Sequence, residues 1–271
     1  MTKEIPILYS TPMVQAKLAG RKTQTRRIAK NHPGNKFPED DCWYETRCSF
    51  QKYFSEDYAG DGKDKELGPT WLILNEDGEI EGFLGDCPYG QPGDLLWGRE
   101  NWKPNDLPTG WPYHYYANND TFTDPDSEKW KPSIHMPKVA ARIWDEVTGI
   151  RVQRIAEISE EDCIAEGIEI SKHSRTGGTI YKCYDGQNDF EYNPKESFRS
   201  LWQSINGKPK PIQARQNGKL VTVGYEVYPF DEQDGKEFAS LTTWRGKPLT
   251  VITNPWVWVI ESKQLSVTWK P

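Results

Sequence analysis

The sequence predicts an α+β fold, a small β-barrel carrying two or three short helices and long loop insertions. Short β-branched or apolar runs, separated by Gly, Pro, Asn and Asp, recur along the 271 residues. Few segments carry helix start and stop signals, and those lie near residues 11–20, 159–167 and 193–207. Neither a long strand–helix alternation nor a G-x-G-x-x-G or phosphate-loop signature occurs, which turns the reading away from a doubly wound sheet. The length suits one domain over 1–271 with a sizeable core, and turn-rich stretches mark insertions at 31–90, 103–132, 171–192 and 208–247.

The elements follow in chain order. Thr11 as N-cap, Pro12 in the first turn, Val14 and Leu18 one turn apart, and Gly20 as a left-handed stop predict a short first helix. A cationic cluster follows, Arg21, Lys22, Arg26, Arg27 and Lys30, with period-2 residues from Thr23 to Ile28 predicting a strand. From these residues alone three readings stay open: a lysine base beside a threonine nucleophile, a phosphate-binding patch, or a solvated basic turn. Loops are expected at His32–Gly34, Pro38–Asp41 and Asp61–Glu66, and a hairpin joins Trp71–Leu74 to Glu79–Phe83 through Asp77-Gly78.

Gln91-Pro-Gly-Asp94 launches a strand from Leu95 towards Trp102, in which Gly98 marks a bulge or a close backbone approach. Arg99 and Glu100 at its polar end are expected to pair. Beyond the proline-rich excursion at 103–132, strands are expected over Val139–Thr148 and Ile150–Ile155. Ser159 caps a helix with three acids in its first turn and Gly167 as its stop. Glu166 is anomalous there, because a helix C-terminus disfavours negative charge; it is either solvated or held to meet a cation. Asn193 caps the best helix, whose Phe198, Leu201, Trp202 and Ile205 form one apolar stripe before Gly207. Val221-Thr-Val223 is a strand candidate, and Asn254–Lys263 is a strand apolar on both faces, as a central strand should be.

Composition narrows the function classes. A net charge of -6 argues against nonspecific duplex binding and favours a nucleoside or short single strand as ligand. Five cysteines without a C-x-x-C pair, and four scattered histidines, suggest neither a disulfide framework nor a metal site. No cofactor is called for. The N-terminus lacks an apolar leader and no run approaches a membrane span, so a cytoplasmic protein is expected. Most of the twelve tryptophans belong in the core; one or two in a cleft would stack on a base.

Five separated pieces, in order, carry a family resemblance: Leu18-Ala-Gly-Arg-Lys-Thr-Gln-Thr-Arg26, Pro92-Gly-Asp-Leu-Leu-Trp97, Ile158-Ser-Glu-Glu-Asp-Cys-Ile-Ala-Glu-Gly-Ile168, Phe198-Arg-Ser-Leu-Trp202 and Pro255-Trp-Val-Trp-Val259. Covering about a third of the chain, they resemble the ASCH family, and within it the long branch known from phages and prophages. The resemblance implies a PUA-like small mixed β-barrel, a fold associated with RNA and modified nucleotides. It further implies a metal-independent amidohydrolase that removes the acyl group from N4-acylated cytosine nucleosides such as N4-acetylcytidine. The family's catalytic lysine, threonine and glutamate fall on Lys22, Thr25 and Glu166. Gly98, where the family has a larger residue, and the long insertions depart from the pattern and bear on substrate range.

In that mechanism Thr25 is the nucleophile, Lys22 its base, and Glu166 either orients Lys22 or protonates the departing nitrogen. Oxyanion donors would be backbone N–H groups or Arg27, with Arg21 and Arg26 also placed to bind substrate and Trp97 stacking on the pyrimidine. Strict alternation puts Lys22 on the strand face opposite Thr25, so the set converges only if Lys22 is still in the turn after Gly20. The alternative is a non-catalytic module that binds RNA or a modified base, with Lys22, Arg26 and Arg27 on phosphates.

Overall fold

The strand marked as apolar on both faces is an interior strand of the main sheet, buried on both sides. The computed structural model describes residues 2–30, 49–53, 70–74, 80–105, 112–118, 130–186, 188–216, 218–230 and 239–267. The expected loops at 32–41 and 61–66 and the turn at 75–78 lie outside them. With strands and helices numbered along the chain, one five-stranded sheet runs β1 (Glu4–Leu8), β6 (Leu95–Arg99), β9 (Trp144–Arg154), β17 (Trp256–Ser266) and β2 (Gln24–Ile28). Only the β1–β6 pair is parallel. Trp256, Trp258 and Ile260 of β17 share one face and Val257 and Val259 the other, all buried, which is why this strand reads as uninterrupted apolar sequence.

Three α-helices cover the two faces: α1 (Thr11–Leu18), α2 (Glu160–Ala165) and α3 (Pro194–Asn206). Met13 and Val14 of α1 pack with Ile7, Trp258 and Ile260 on one face. Cys163 of α2 and Phe198, Leu201 and Trp202 of α3 pack with Val257 and Val259 on the other. Ser159 caps α2 by accepting from the Asp162 N–H, and Asn193 caps α3 by accepting from Lys195 N–H. For α1 the cap is Ser10 and not Thr11; Thr11 is already helical, and the Ser10 side chain makes no capping bond.

The insertions carry sheets of their own. These are β3 (Ser49–Tyr53), β4 (Thr70–Leu74) and β5 (Ile80–Gly85); β7 (Trp102–Pro104) and β8 (Tyr113–Tyr115); and β10 (Ile170–Lys172), β11 (Thr179–Lys182) and β12 (Phe190–Glu191). The last is β13 (Lys210–Gln216), β14 (Lys219–Val227), β15 (Ala239–Trp244) and β16 (Lys247–Ile252). The fold is thus α+β, strand-rich with three α-helices among the described residues, and no such helix is long and apolar enough to cross a membrane.

Among the described residues the sheet's ladder is not closed: β1 and β2 are its edges, and the Arg27 guanidinium reaches from β2 to the Leu8 carbonyl (2.5 Å). Two further expectations are corrected. The two strands expected around Thr148 are one, because β9 runs straight through Gly149, where a side chain would meet the Glu261 carboxylate at 2.7 Å. Arg99 and Glu100 do not pair, since neighbours on an extended chain point apart; Glu100 takes a two-pronged bond from Arg142 (2.8 Å each) and Arg99 lies over the Trp97 ring.

Candidate active site

Two turns pressed together build the site. After α1, Gly20 adopts φ +69°, and the N–H groups of Arg21 and Lys22 both return to the Ala16 carbonyl (2.9 and 3.3 Å). The Thr23 N–H then donates to the Ala165 carbonyl at the end of α2 (2.8 Å). Gly167, at φ +90°, permits the contact: a Cβ there would lie 2.7 Å from the Ala16 Cβ and 2.8 Å from the Lys22 Cβ. Because β2 starts only at Gln24, Lys22 is still in the turn, freed from the alternation that would hold it opposite Thr25.

Lys22 is 1 % exposed, and its Nζ donates to Glu166 Oε2 (2.6 Å) and to the Glu166 backbone carbonyl (2.9 Å). Arg26 donates to Glu166 Oε1 (3.1 Å) and to Asp162 (2.5 Å), which also holds Arg151 (2.5 Å). Glu166 is therefore the acid that meets cations. Burial favours the neutral amine and, against the pull of Glu166, lowers the Lys22 pKa to about 8, with Arg27 and Lys17 adding repulsion. Burial alone would raise the Glu166 carboxyl, but Lys22 and Arg26 together bring it below the usual value. Glu166 is thus a carboxylate and not a proton donor, and Arg26 supplies a second positive charge that remains if Lys22 gives up its proton. A neutral Lys22 amine has two N–H donors, which its two Glu166 contacts use, leaving the lone pair as its uncommitted valence.

Thr25 is buried on β2, and its Oγ1 has no hydrogen-bond partner among the described residues. Its neighbour is Tyr9, near enough for the Thr25 hydroxyl to act on the Tyr9 phenol yet outside hydrogen-bond geometry. The Tyr9 hydroxyl donates to Asp145 Oδ2 (3.2 Å), which is also bound by the fully buried Lys17 ammonium (2.9 Å); Lys17 donates in turn to Ser262 Oγ (3.1 Å). Burial raises the Tyr9 pKa well above its ordinary value, so the phenol stays protonated. In the Lys17–Asp145 pair burial outweighs attraction: the lysine is lowered and the aspartate raised.

A cavity of about 500 Å³ opens beside this set, within the ~300–1,000 Å³ of small-molecule sites. Tyr9, Arg26 and Glu166 form part of its wall, and Trp258, Tyr89 and Phe198 supply aromatic surface. Lys22 and Thr25 do not line it; each lies behind a wall residue, Lys22 bonded to Glu166 and Thr25 beside Tyr9. Arg27 lines the cavity, but its guanidinium donates to the carbonyls of Arg26 (3.0 Å) and Leu8. Arg21 is exposed on the turn. Trp97 is not at the cavity: β6 turns Leu96 into the core beneath α1, which sends Trp97 to the other side against Ala141 and Trp144.

Sequence reasoning missed Tyr9, Lys17 and Asp145, although two left a signal. Asp145 sits between Ile143 and Val147 at the inward positions of a strand, and Lys17 lies three and four residues after the core residues Val14 and Met13. Among the described residues no group of His, Cys, Asp and Glu could hold a metal ion. Searches against family models, curated proteins and solved structures return no match to this chain.

Proposed function

We propose that the chain is an ASCH-family amidohydrolase acting on N4-acylated cytosine nucleosides, with Thr25 as nucleophile, Lys22 as general base and Glu166 as the carboxylate that orients Lys22. The observation that carries the reading is the buried Lys22–Glu166 pair, with a lysine pKa near 8, three residues before a buried threonine whose hydroxyl has no hydrogen-bond partner among the described residues. The side-chain bridge from Arg27 to Leu8 across the sheet edges supports an incompletely closed barrel of PUA type.

The acyl group sits at the inner end of the cavity, against Tyr9, Arg26 and Glu166. With the Tyr9 side chain displaced from in front of Thr25, Lys22 takes the hydroxyl proton as Oγ1 attacks the amide carbonyl carbon. The C–N4 bond then breaks, the Lys22 ammonium returns the proton to N4, and the deacylated cytosine departs. Water, deprotonated by Lys22, attacks the acyl-threonine ester; the carboxylic acid leaves and Lys22 returns the proton to Thr25. Roughly a tenth of Lys22 is neutral at pH 7 if its pKa is about 8. Trp258 and Tyr89 replace Trp97 as the aromatic surfaces available to the pyrimidine. The rival binding module loses ground because two of its three phosphate cations, Lys22 and Arg26, are buried and ion-paired.

Incubation of the purified protein with N4-acetylcytidine and longer N4-acyl analogues, with and without chelator, tests the proposal. Chromatography is expected to show cytidine in both conditions, and none with Lys22→Met. Absence of release from every analogue would contradict it.

A further inference from the structure

The cavity has a second chemical character besides the Glu166 wall. Arg27, Lys30 and Lys210 also line it, contributed by β2, the residues just after it, and the start of β13. Among the described residues one carboxylate is bonded to this group: Glu226 pairs with Lys30 (2.5 Å) and also accepts from the Tyr228 hydroxyl (2.9 Å). Arg27 spends its bonds on two backbone carbonyls, and the Lys210 ammonium donates to the neutral Asn206 Oδ1 (2.7 Å). The three cations therefore crowd one another. The Lys210 pKa is lowered by burial first and then by Lys30 and Arg27, with Glu226 opposing. An anion among them would relieve that repulsion and accept charge-assisted bonds.

Resting on the hydrolase reading of the same cavity, we infer that its substrate is a nucleotide: an N4-acylated cytidine carrying a 5′-phosphate, which Arg27, Lys30 and Lys210 bind. The layout fits that class. Arg27 lies two residues beyond Thr25 on β2, roughly 7 Å at the rise of a strand, and Lys30 follows past the end of β2 at Ile28. Aromatic surface from Trp258 and Tyr89 lies in the same cavity for the base. A mononucleotide is favoured over a polymer because the net charge of -6 repels a long polyanion, whereas a single phosphate meets only the local cations.

The test is calorimetric binding of cytidine, cytidine 5′-monophosphate and a short cytidine-containing single strand to the whole protein, none of which requires turnover. The monophosphate is expected to bind roughly ten- to hundredfold more tightly than cytidine. Lys210→Gln, and separately Lys30→Gln, should narrow that ratio severalfold, with cytidine binding by the same variant reporting that it is folded. Equal affinities for cytidine and its monophosphate would overturn the inference, and would do so even if N4-acetylcytidine is hydrolysed. A ratio that neither variant changes would overturn the assigned residues. A single strand binding much more tightly than the monophosphate would replace a nucleotide substrate with RNA. Tighter monophosphate binding without any hydrolysis would sustain the phosphate site and remove the hydrolase.

Discussion

Lys22 and Lys17 are both buried lysines on a carboxylate, yet the surroundings assign them different work. Lys17 shares Asp145 with a phenol, and both members of the ion pair are pushed towards neutrality by burial. Lys22 faces a carboxylate that a guanidinium also holds, and the two cations together bring Glu166 below its usual value against burial. That asymmetry suits Lys22 to proton transfer and Lys17 to support. Asp145→Ala should destabilise the protein by ~3–5 kcal/mol in urea denaturation, because it strands a buried ammonium. At Thr25 the chemistry and the packing separate: Thr25→Ser keeps the hydroxyl and should retain acyl release, whereas Thr25→Ala should abolish it with little change in urea midpoint. Full turnover by Thr25→Ala would remove the covalent step and leave a lysine-activated water as the nucleophile.

At the scale of elements, the site depends on the two turns after α1 and α2 lying closer than side chains normally allow. Gly167 combines a left-handed backbone with the Cβ position nearest to Lys22 and Ala16. Gly167→Ala should therefore cost ~1–3 kcal/mol by thermal or urea unfolding, and reduce acyl release more than proportionately by moving the Lys22 turn. An alanine variant with wild-type stability and rate would show that the contact has no positioning role. Gly98 plays a related part: its missing side chain makes room for the Tyr9 ring, which would stand 3.0 Å from a Cβ. Both glycines were legible as stops or close approaches, but not what they approach. The helices were legible for local reasons, since caps, glycine stops and the Phe198–Ile205 stripe are set within a few residues. Glu166 stood out because its charge is wrong for a helix end. Its partner was legible only through the family resemblance, because Lys22 lies 144 residues away and no local periodicity encodes that pairing.

For the whole molecule, the same distinction between local and long-range explains what the sequence conveyed. Strand-rich α+β architecture and a central apolar strand follow from composition and alternation. Closure of the sheet depends on how β1 and β2, at opposite ends of the ladder, meet, and here a side chain bridges them. Trp97 was a sound aromatic choice by residue type, yet which face of a strand turns to the cavity is settled only by sheet packing. The insertions place β13 beside the cavity, so an acidic molecule lines one cavity with Arg27, Lys30 and Lys210 as well as with Glu166, the partner of the buried Lys22. The pH dependence of N4-acetylcytidine hydrolysis bears most directly on that arrangement. The base is active when neutral, so the rate should rise about tenfold per pH unit below the Lys22 pKa and level off above about 8. Lys22→Arg, which stays protonated, should show no activity across the range. Release of cytidine by Lys22→Arg at the wild-type rate, or a wild-type rate that is flat from pH 6 to 9, would contradict the account.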